Sequence, residues 1–305
     1  MQETAPGPSS PSADEYGIVF AEDAPSPREA GLADDDLVIG VVAGGRPRAY
    51  GINSLWEEDE HTLNDTLGGE PIAVSMCPLA GVAAAFSRRL GSETLELGSL
   101  TTVDQGSLVL YDRTSHSHYR LLTGEGFAGP RAGTRLARVP TLFTTWGRWL
   151  ALHPDTTLRL APGPAGEHGL DAPRLRRLIL TGGGPAADRD WVVGVESGSS
   201  SVAFLVRSLV PRRIANDTLD GRPIVVFVSE DLATAVVWER RGRGRVLSFT
   251  AEHDQIRDAE TGSTWDPFTG QAVSGPLAGQ ALTAVPSVSG FWHAWKAQHP
   301  ETAIR

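Results

Sequence analysis

The sequence predicts a β-rich α+β fold, internally duplicated into two similar β-sheet lobes with pseudo-twofold symmetry. The first observation is that residues 64–74 return as residues 216–226, with eight of 11 positions identical at an offset of 152. The second is that residues 123–156 return as residues 269–302, with 15 of 34 positions identical at an offset of 146. The third is that each copy consists mostly of short apolar runs closed by glycine, which is typical of strands and hairpin turns.

The individual elements follow from local patterns. Strands are predicted where short apolar or β-branched runs end at turn residues. In the first copy these are 37–42, 71–76, 94–97 and 107–111, and their clearest counterparts are 191–195 and 223–228. One helix per copy is predicted from Trp146 with Trp149 and from Trp292 with Trp295, because an i,i+3 pair shares one helical face.

The domain organisation follows from the repeat boundaries. Residues 1–15 are rich in Pro and Ser and are expected to form a disordered tail. Residues 16–160 are predicted to be the first repeat, which carries the candidate site. Residues 161–190 are expected to be a linker, and residues 191–305 a second, degenerate repeat.

Composition excludes several function classes for this 305-residue chain. A net charge of −10 without a basic stripe argues against nucleic acid as a partner. No apolar run approaches the length of a membrane span, and the N-terminus lacks the pattern of a signal peptide, so a cytoplasmic location is favoured. Export, with a signal already removed, stays open. The glycine run at 182–184 lacks the Lys-Ser/Thr of a phosphate loop, and no nucleotide cofactor is expected.

Cys77 is the strongest candidate for chemistry because it is the only cysteine and the second copy has Ser229 in its place. It follows a predicted buried strand and precedes Pro78. Residues 79–86 are expected to begin a helix, whose N-terminus would favour the thiolate, the nucleophilic and metal-binding form. A small buried hydrophobic residue is the competing interpretation.

Two histidines extend this candidate site. His116 and His118 are separated by one residue, so that in a strand both imidazoles would point to one face. One Cys with two His is a recognised ligand set for copper and, with a fourth ligand, for zinc. Cys77, His116 and His118 are therefore predicted metal ligands, with copper preferred over zinc. His61 is a possible fourth ligand or general base. An exposed polar hairpin is the alternative.

Asp65 is a further catalytic candidate, as a base or as an orienter of a ligand. It belongs to an Asn-Asp-Thr segment that also occurs at Asp217, in the copy without a thiol. The duplication favours a structural turn, and the same logic treats His153 and His299 as helix caps.

Several segments, in this order, resemble a prokaryotic family catalogued as domain of unknown function 3179. They are Asn64–Gly69, Cys77–Leu79, Tyr111–Arg113, Thr123–Glu125, Gly129–Pro130, the Trp-x-x-Trp…His-Pro element from Trp146 to Pro154, and Arg257–Pro267. Relatives often show Cys-Pro-Leu-Cys, where this chain has Ala80, and Ser-Leu-Trp, where this chain has Ser117-His118-Tyr119. The first departure argues against a dithiol or two-thiolate site here. The resemblance implies no activity.

The leading hypothesis from the sequence is an enzyme with a thiolate-centred site at Cys77, metal-dependent and acting on a small organic molecule, with an oxidoreductase favoured. One alternative is a metal-free enzyme with Cys77 as nucleophile and a histidine as base. Another is a non-catalytic protein that binds a metal or a small ligand, including an organic ligand held between the two halves. A fully buried Cys77 without an adjoining cavity would favour the non-catalytic alternative.

Overall fold

The computed structural model describes residues 19–20, 32–55, 61–159, 171–181, 188–252 and 255–305. The predicted tail, 1–15, lies outside these residues. Strands dominate both repeats. Those of the first repeat are β1 (Val19–Phe20), β2 (Leu37–Ala43), β3 (Arg46–Gly51), β4 (Thr62–Leu67), β5 (Glu70–Cys77), β6 (Val82–Ser87), β7 (Arg89–Leu90), β8 (Glu93–Thr94), β9 (Leu97–Asp104), β10 (Ser107–Asp112), β11 (Ser117–Arg120), β12 (Gly126–Ala128), β13 (Arg138–Val139), β14 (Thr141–Thr145) and β15 (Thr157–Arg159).

The second repeat continues the series with shorter strands in its last sheet. Its strands are β16 (Trp191–Ser197), β17 (Ser200–Leu205), β18 (Ile214–Leu219), β19 (Arg222–Val228), β20 (Ala235–Glu239), β21 (Arg241–Gly242), β22 (Arg245–Val246), β23 (Phe249–Glu252), β24 (Gln255–Asp258), β25 (Thr264–Asp266), β26 (Gln271–Ser274), β27 (Thr283–Ala284), β28 (Ser287–Phe291) and β29 (Ala303–Ile304). The helices are α1 (Trp146–Leu152), α2 (Ala172–Thr181), α3 (Val206–Leu209) and α4 (Trp292–Gln298), with a 3₁₀ turn at Asn53–Leu55.

The predicted duplication is confirmed by the order of strands in the sheets. The sheet β14-β2-β3-β15 recurs as β28-β16-β17-β29, and β12-β11-β10-β9 recurs as β26-β25-β24-β23. The order β4-β5-β6-β13 recurs as β18-β19-β20-β27, and among the described residues β1 is added beside β4 in the first repeat only. The fold is thus β-rich, with the same three sheets built twice.

The helix after β14 and its counterpart after β28 pack on their sheets in the same way. Trp149 of α1 lies directly on Gly40, and Trp295 of α4 lies directly on Gly194. The indole Nε1 of Trp149 also donates a hydrogen bond to Thr156 Oγ1 at 2.8 Å. A glycine is needed in the strand because the ring occupies the space of a side chain.

The two repeats share one core rather than standing apart. The largest apolar cluster contains buried residues of both, among them Tyr50, Val74, Phe204 and Val226. The backbone N–H of Phe291 donates to the carbonyl of Ala80 across the boundary at 2.7 Å. The junction between the repeats is therefore part of the folded core.

The expected linker, 161–190, contains a helix. Within its described part, α2 buries Ala172, Leu175 and Ile179, and these side chains belong to the largest core cluster. An apolar face with helical spacing therefore anchors this segment to the body. In the described part of the chain, every helix is too short or too polar to cross a membrane.

Candidate functional site

Cys77 ends β5 and is completely buried, with 0% of its surface exposed. It lies in an apolar cluster with Leu97, Leu110, Tyr119 and Trp295. The backbone N–H of Ala80 donates to its Sγ at 3.3 Å. The thiol thus closes a turn inside the core.

The second repeat shows the same use of this position. The hydroxyl of Ser229 accepts a hydrogen bond from the backbone N–H of Thr234 at 2.9 Å. In both copies a side-chain acceptor at the end of a strand therefore stabilises the turn that follows. The contrast between cysteine and serine, which singled out Cys77, has a structural explanation.

The helix expected at residues 79–86 is wrong. Residues 78–81 form a hairpin turn in which Gly81 has a φ of +63°, and Val82–Ser87 is strand β6. Six apolar or small residues in this strand are buried or nearly so, which explains how a fully buried strand resembles the start of a helix. The segment after Cys77 therefore offers no helix N-terminus to its thiol.

His116 and His118 lie beside the ring of Tyr111, at ring-centroid distances of 5.6 and 5.9 Å. His118 is in β11, whereas His116 precedes the strand in a turn with a φ of +55°. The Tyr111 hydroxyl and His116 Nδ1 are hydrogen-bonded. Gly262 occupies the position of His116 in the second repeat, with a φ of +69°, because the same left-handed turn is built there.

The structure does not bring Cys77 together with the two histidines. Tyr119 faces the cluster that contains Cys77, so its neighbour His118 faces the other side of the sheet, where it contacts Tyr111 and Phe127. Within the described ranges, no three His, Cys, Asp or Glu side chains form a group that could hold a metal. The described structure therefore does not gather the three predicted ligands into one group, and the copper or zinc site stays a prediction.

His61 and Asp65, the remaining candidates, also lie in structural settings. His61 Nδ1 donates to the carbonyl of Leu55 at 2.8 Å. The buried carboxylate of Asp65 accepts from Arg48 Nη1 at 2.6 Å and from the Tyr50 hydroxyl at 2.5 Å. Burial, followed by the charge of Asp65 and its hydrogen bond, raises the pKa of Tyr50 well above its usual value.

A large cavity lies elsewhere, at the junction of the two repeats. This inter-repeat cleft has a volume of about 550 Å³ and is lined mainly by apolar side chains. The first repeat supplies its walls from β2, β14 and α1, and the second repeat from β20 and the segment around β27. Aromatic and aliphatic surfaces are provided by Trp149, Trp238, Leu142 and Leu152. Cys77 does not line it.

His153 is the polar side chain that distinguishes the first-repeat wall of this cleft. Its ring contacts that of Trp149 at a centroid distance of 4.2 Å, with the two planes tilted by 45°. In the second repeat, His299 Nε2 lies 3.1 Å from Glu196 Oε1. Val42, which is 43% exposed and lines the cleft, occupies the position of Glu196 when the two strands are aligned on their tryptophan-covered glycines. His153 therefore lacks the carboxylate that its counterpart has.

The electrostatic character of the cleft is neutral to positive. Arg138 lines it, and among the described lining residues there is no Asp or Glu. Burial lowers the pKa of His153, against a smaller opposing effect from Asp155, so its imidazole is neutral at pH 7. Among the described residues no side-chain hydrogen bond of His153 is formed, and its imidazole lines the cleft.

The comparison with known protein families agrees with this architecture. The model of a family described as a protein of unknown function, DUF3179, matches residues 16–168 and 178–302. The chain belongs to this family. No curated protein and no solved structure matches the chain. Membership in DUF3179 thus establishes the family and agrees with the two repeats, but the function must be argued from the geometry of the site.

The cleft residues were missed by the sequence interpretation, which assigned His153 to a helix cap. That assignment describes part of its role, since the backbone N–H of His153 does end α1. The available signal was the difference between Val42 and Glu196, two positions after the matched glycines.

Proposed function

We propose that the protein binds a small ring-containing organic molecule, neutral or anionic, in the inter-repeat cleft. The observation that carries this proposal is the volume of about 550 Å³ with aromatic walls from both repeats. Small-molecule sites occupy about 300–1,000 Å³, with mainly apolar linings and a few polar groups that fix orientation. The cleft meets each of these criteria.

The polar side chains of the cleft indicate which chemical groups the ligand should carry. A neutral imidazole at His153 can donate or accept one hydrogen bond per nitrogen. The half-buried rings of Trp238 and Phe268 in the cleft wall offer flat surfaces on which an aromatic or alicyclic ring can stack. Arg138 lines the cleft with no Asp or Glu among the described lining residues, and Glu196, outside the lining, offsets only part of its charge, so a cationic ligand is disfavoured. We therefore expect a planar apolar body with a hydroxyl, carbonyl or carboxylate end.

This proposal selects the non-catalytic alternative from the sequence. The complete burial of Cys77 in an apolar cluster supports it, because a nucleophile needs access to its substrate. Catalysis at Cys77 stays a separate prediction, with or without a metal. Its test is the accessibility of the thiol.

The binding proposal is tested by thermal unfolding with two ligands of equal shape and opposite charge, 2-naphthoate and 2-naphthylmethylammonium. A ligand at a hundred times its Kd stabilises the folded state by about 2.7 kcal/mol. For a chain of this size that corresponds to an increase in Tm of roughly 4 °C. We expect this increase with the carboxylate and a much smaller one with the ammonium compound.

A matched pair of variants locates the binding. Val42 is exposed and lines the cleft, so Val42→Trp places a large ring in it. Val103 is exposed on a strand outside the cleft, so Val103→Trp adds the same ring without filling the cleft. We expect 2-naphthoate to raise the Tm of Val103→Trp but not that of Val42→Trp. Equal stabilisation of both variants, or equal stabilisation by the two ligands, would contradict the proposal.

A further inference from the structure

A second cavity lies inside the second repeat, at the place that corresponds to the Cys77 site of the first. It has a volume of about 280 Å³ and is lined by Ser229, the counterpart of Cys77, and by Phe227, Trp265, Phe268 and Arg148, among others. The first repeat is solid here. Its corresponding Cys77 and Tyr119 are fully buried in a continuous apolar cluster.

The cavity exists because the second repeat is shorter at one hairpin. The offset between matched residues falls from 152 before this hairpin to 146 after it, so six residues are absent. In the first repeat, β9 (Leu97–Asp104) and β10 (Ser107–Asp112) are long, and Gly106 at their connection lies against Ala294 of α4. The strands β23 and β24 have four residues each. The cover present in the first repeat is thus missing in the second.

The residue that the other repeat contributes to this place also differs between the two copies. Ala294 packs into the solid site of the first repeat, and its counterpart Arg148 lines the cavity of the second. The guanidinium carbon of Arg148 lies 4.3 Å from the centre of the Phe268 ring. The filled site thus has an alanine at this position, and the site with the cavity has an arginine.

Arg148 has donors to spare. Its guanidinium lies 3.9 Å from Asp231, at the limit of an ion pair, and its Nε is buried without a hydrogen-bond partner. Among the described residues its side chain makes no hydrogen bond, although a guanidinium has five N–H donors arranged in a planar fork. The other arginine of the lining, Arg213, pairs at 3.6 Å with Glu230, which also lines the cavity and whose side chain is 90% exposed.

We infer that this second-repeat cavity is a binding site for a small carboxylate with one apolar ring. The planar fork of Arg148 matches a carboxylate in a two-point hydrogen bond. Phe227, Trp265 and Phe268 provide the apolar walls for the ring. A volume of about 280 Å³ holds a benzene ring, for which about 150 Å³ is sufficient, and a short acidic arm. This cavity and the inter-repeat cleft share Phe268 in their walls, whereas Arg148, Phe227 and Trp265 line this cavity and not the cleft.

The test is titration of the full chain with phenylacetate and, separately, benzylammonium, followed by ligand-observed NMR and calorimetry. We expect phenylacetate to bind and benzylammonium not to bind. Arg148→Met should weaken phenylacetate by about tenfold or more, because charge-assisted hydrogen bonds are lost. Arg148→Lys should weaken it less, since the charge stays while the fork is lost. Arg46→Met, at an exposed strand position, is the matched control and should bind like wild type.

A second variant guards against misfolding of Arg148→Met. Gln255 is exposed and lines the cavity, so Gln255→Trp fills it from outside and should also abolish phenylacetate binding while the Tm is retained. Wild-type affinity in both Arg148→Met and Gln255→Trp would overturn the inference. Equal binding of benzylammonium, or no binding of phenylacetate by wild type at millimolar concentration, would also overturn it. Retained 2-naphthoate binding by folded Arg148→Met would separate this site from the inter-repeat cleft.

Discussion

Replacement of Gly40 or Gly194 by alanine is predicted to destabilise the protein through one defined clash in each repeat. A Cβ at Gly40 would lie 2.1 Å from Cε3 of Trp149, and a Cβ at Gly194 would lie 2.2 Å from Cζ3 of Trp295. Carbon atoms pack best about 3.5–4.0 Å apart, so each ring would have to retreat by about 1.5 Å.

The cost can be estimated from this displacement. Overpacking a dense core costs about 1–3 kcal/mol. The retreat also disturbs the hydrogen bond from Trp149 Nε1 to Thr156 Oγ1, or from Trp295 Nε1 to Thr302 Oγ1, which contributes about 1 kcal/mol more. We expect each substitution to lower the free energy of unfolding by roughly 2–4 kcal/mol.

The assay is urea denaturation followed by far-UV circular dichroism, with binding of 2-naphthoate measured on the same proteins. Both variants should lose similar stability, but only Gly40→Ala should weaken binding, because Trp149 lines the inter-repeat cleft. Gly40→Ala made in a Trp149→Leu background should cost clearly less than in wild type, since the clash is absent. Losses below about 0.5 kcal/mol for both single variants would refute the packing argument.

Three further predictions concern the residues that the sequence singled out. Asp65→Asn should lower the free energy of unfolding by about 3–5 kcal/mol, because it leaves the half-buried Arg48 without its charged partner. Asp217→Asn, at the more exposed counterpart, should lower it by about 1 kcal/mol or less. Denaturant titration compares the two variants, and equal losses would count against a structural role for Asp65. Cys77 should react with a thiol reagent only as fast as the protein unfolds, and rapid stoichiometric labelling of the native protein would revive the catalytic hypothesis. Burial lowers the pKa of His153 in the folded protein, so the imidazole is protonated in the unfolded chain at a higher pH than in the folded one. The free energy of unfolding should therefore fall as the pH drops through about 6.5. His153→Gln should make this pH dependence weaker, and an unchanged pH dependence would argue against the burial of His153 as its cause.

The sequence predicted the duplication, the β-rich class and the paired helices because each depends on local patterns that occur twice. Asn64 illustrates why a repeated residue is informative. Its side-chain amide exchanges two hydrogen bonds with the backbone of Leu97, and Asn216 does the same with Phe249. A contact built identically in both copies is part of the scaffold.

The sequence misled where one copy differed from the other for structural reasons. Serine and cysteine both close the turn after the second strand of their sheet, and histidine and glycine both occupy the left-handed turn at His116 and Gly262. Side-chain direction decided the rest. Alternation along the strand places His118 on the opposite face from the cluster around Cys77. Which face lies against that cluster depends on which strands are neighbours, and the spacing of residues along the chain does not reveal this.

The two cavities were beyond sequence reasoning because they are properties of packing between distant segments. The inter-repeat cleft joins Val42 and Trp149 to Trp238, and no local pattern connects them. The six-residue change of offset was visible in the sequence, but only the position of the longer hairpin against Ala294 shows what its absence opens.

The most direct test of the inter-repeat cleft is titration of the ¹⁵N-tryptophan-labelled protein with 2-naphthoate, with the eight indole N–H resonances assigned by single Trp→Phe variants. Trp149 and Trp238 line the cleft, whereas Trp295 packs on Gly194 in the other half. We predict saturable shifts at Trp149 and Trp238 with one common Kd and no shift at Trp295. Saturable binding that leaves Trp149 and Trp238 unmoved would contradict the account.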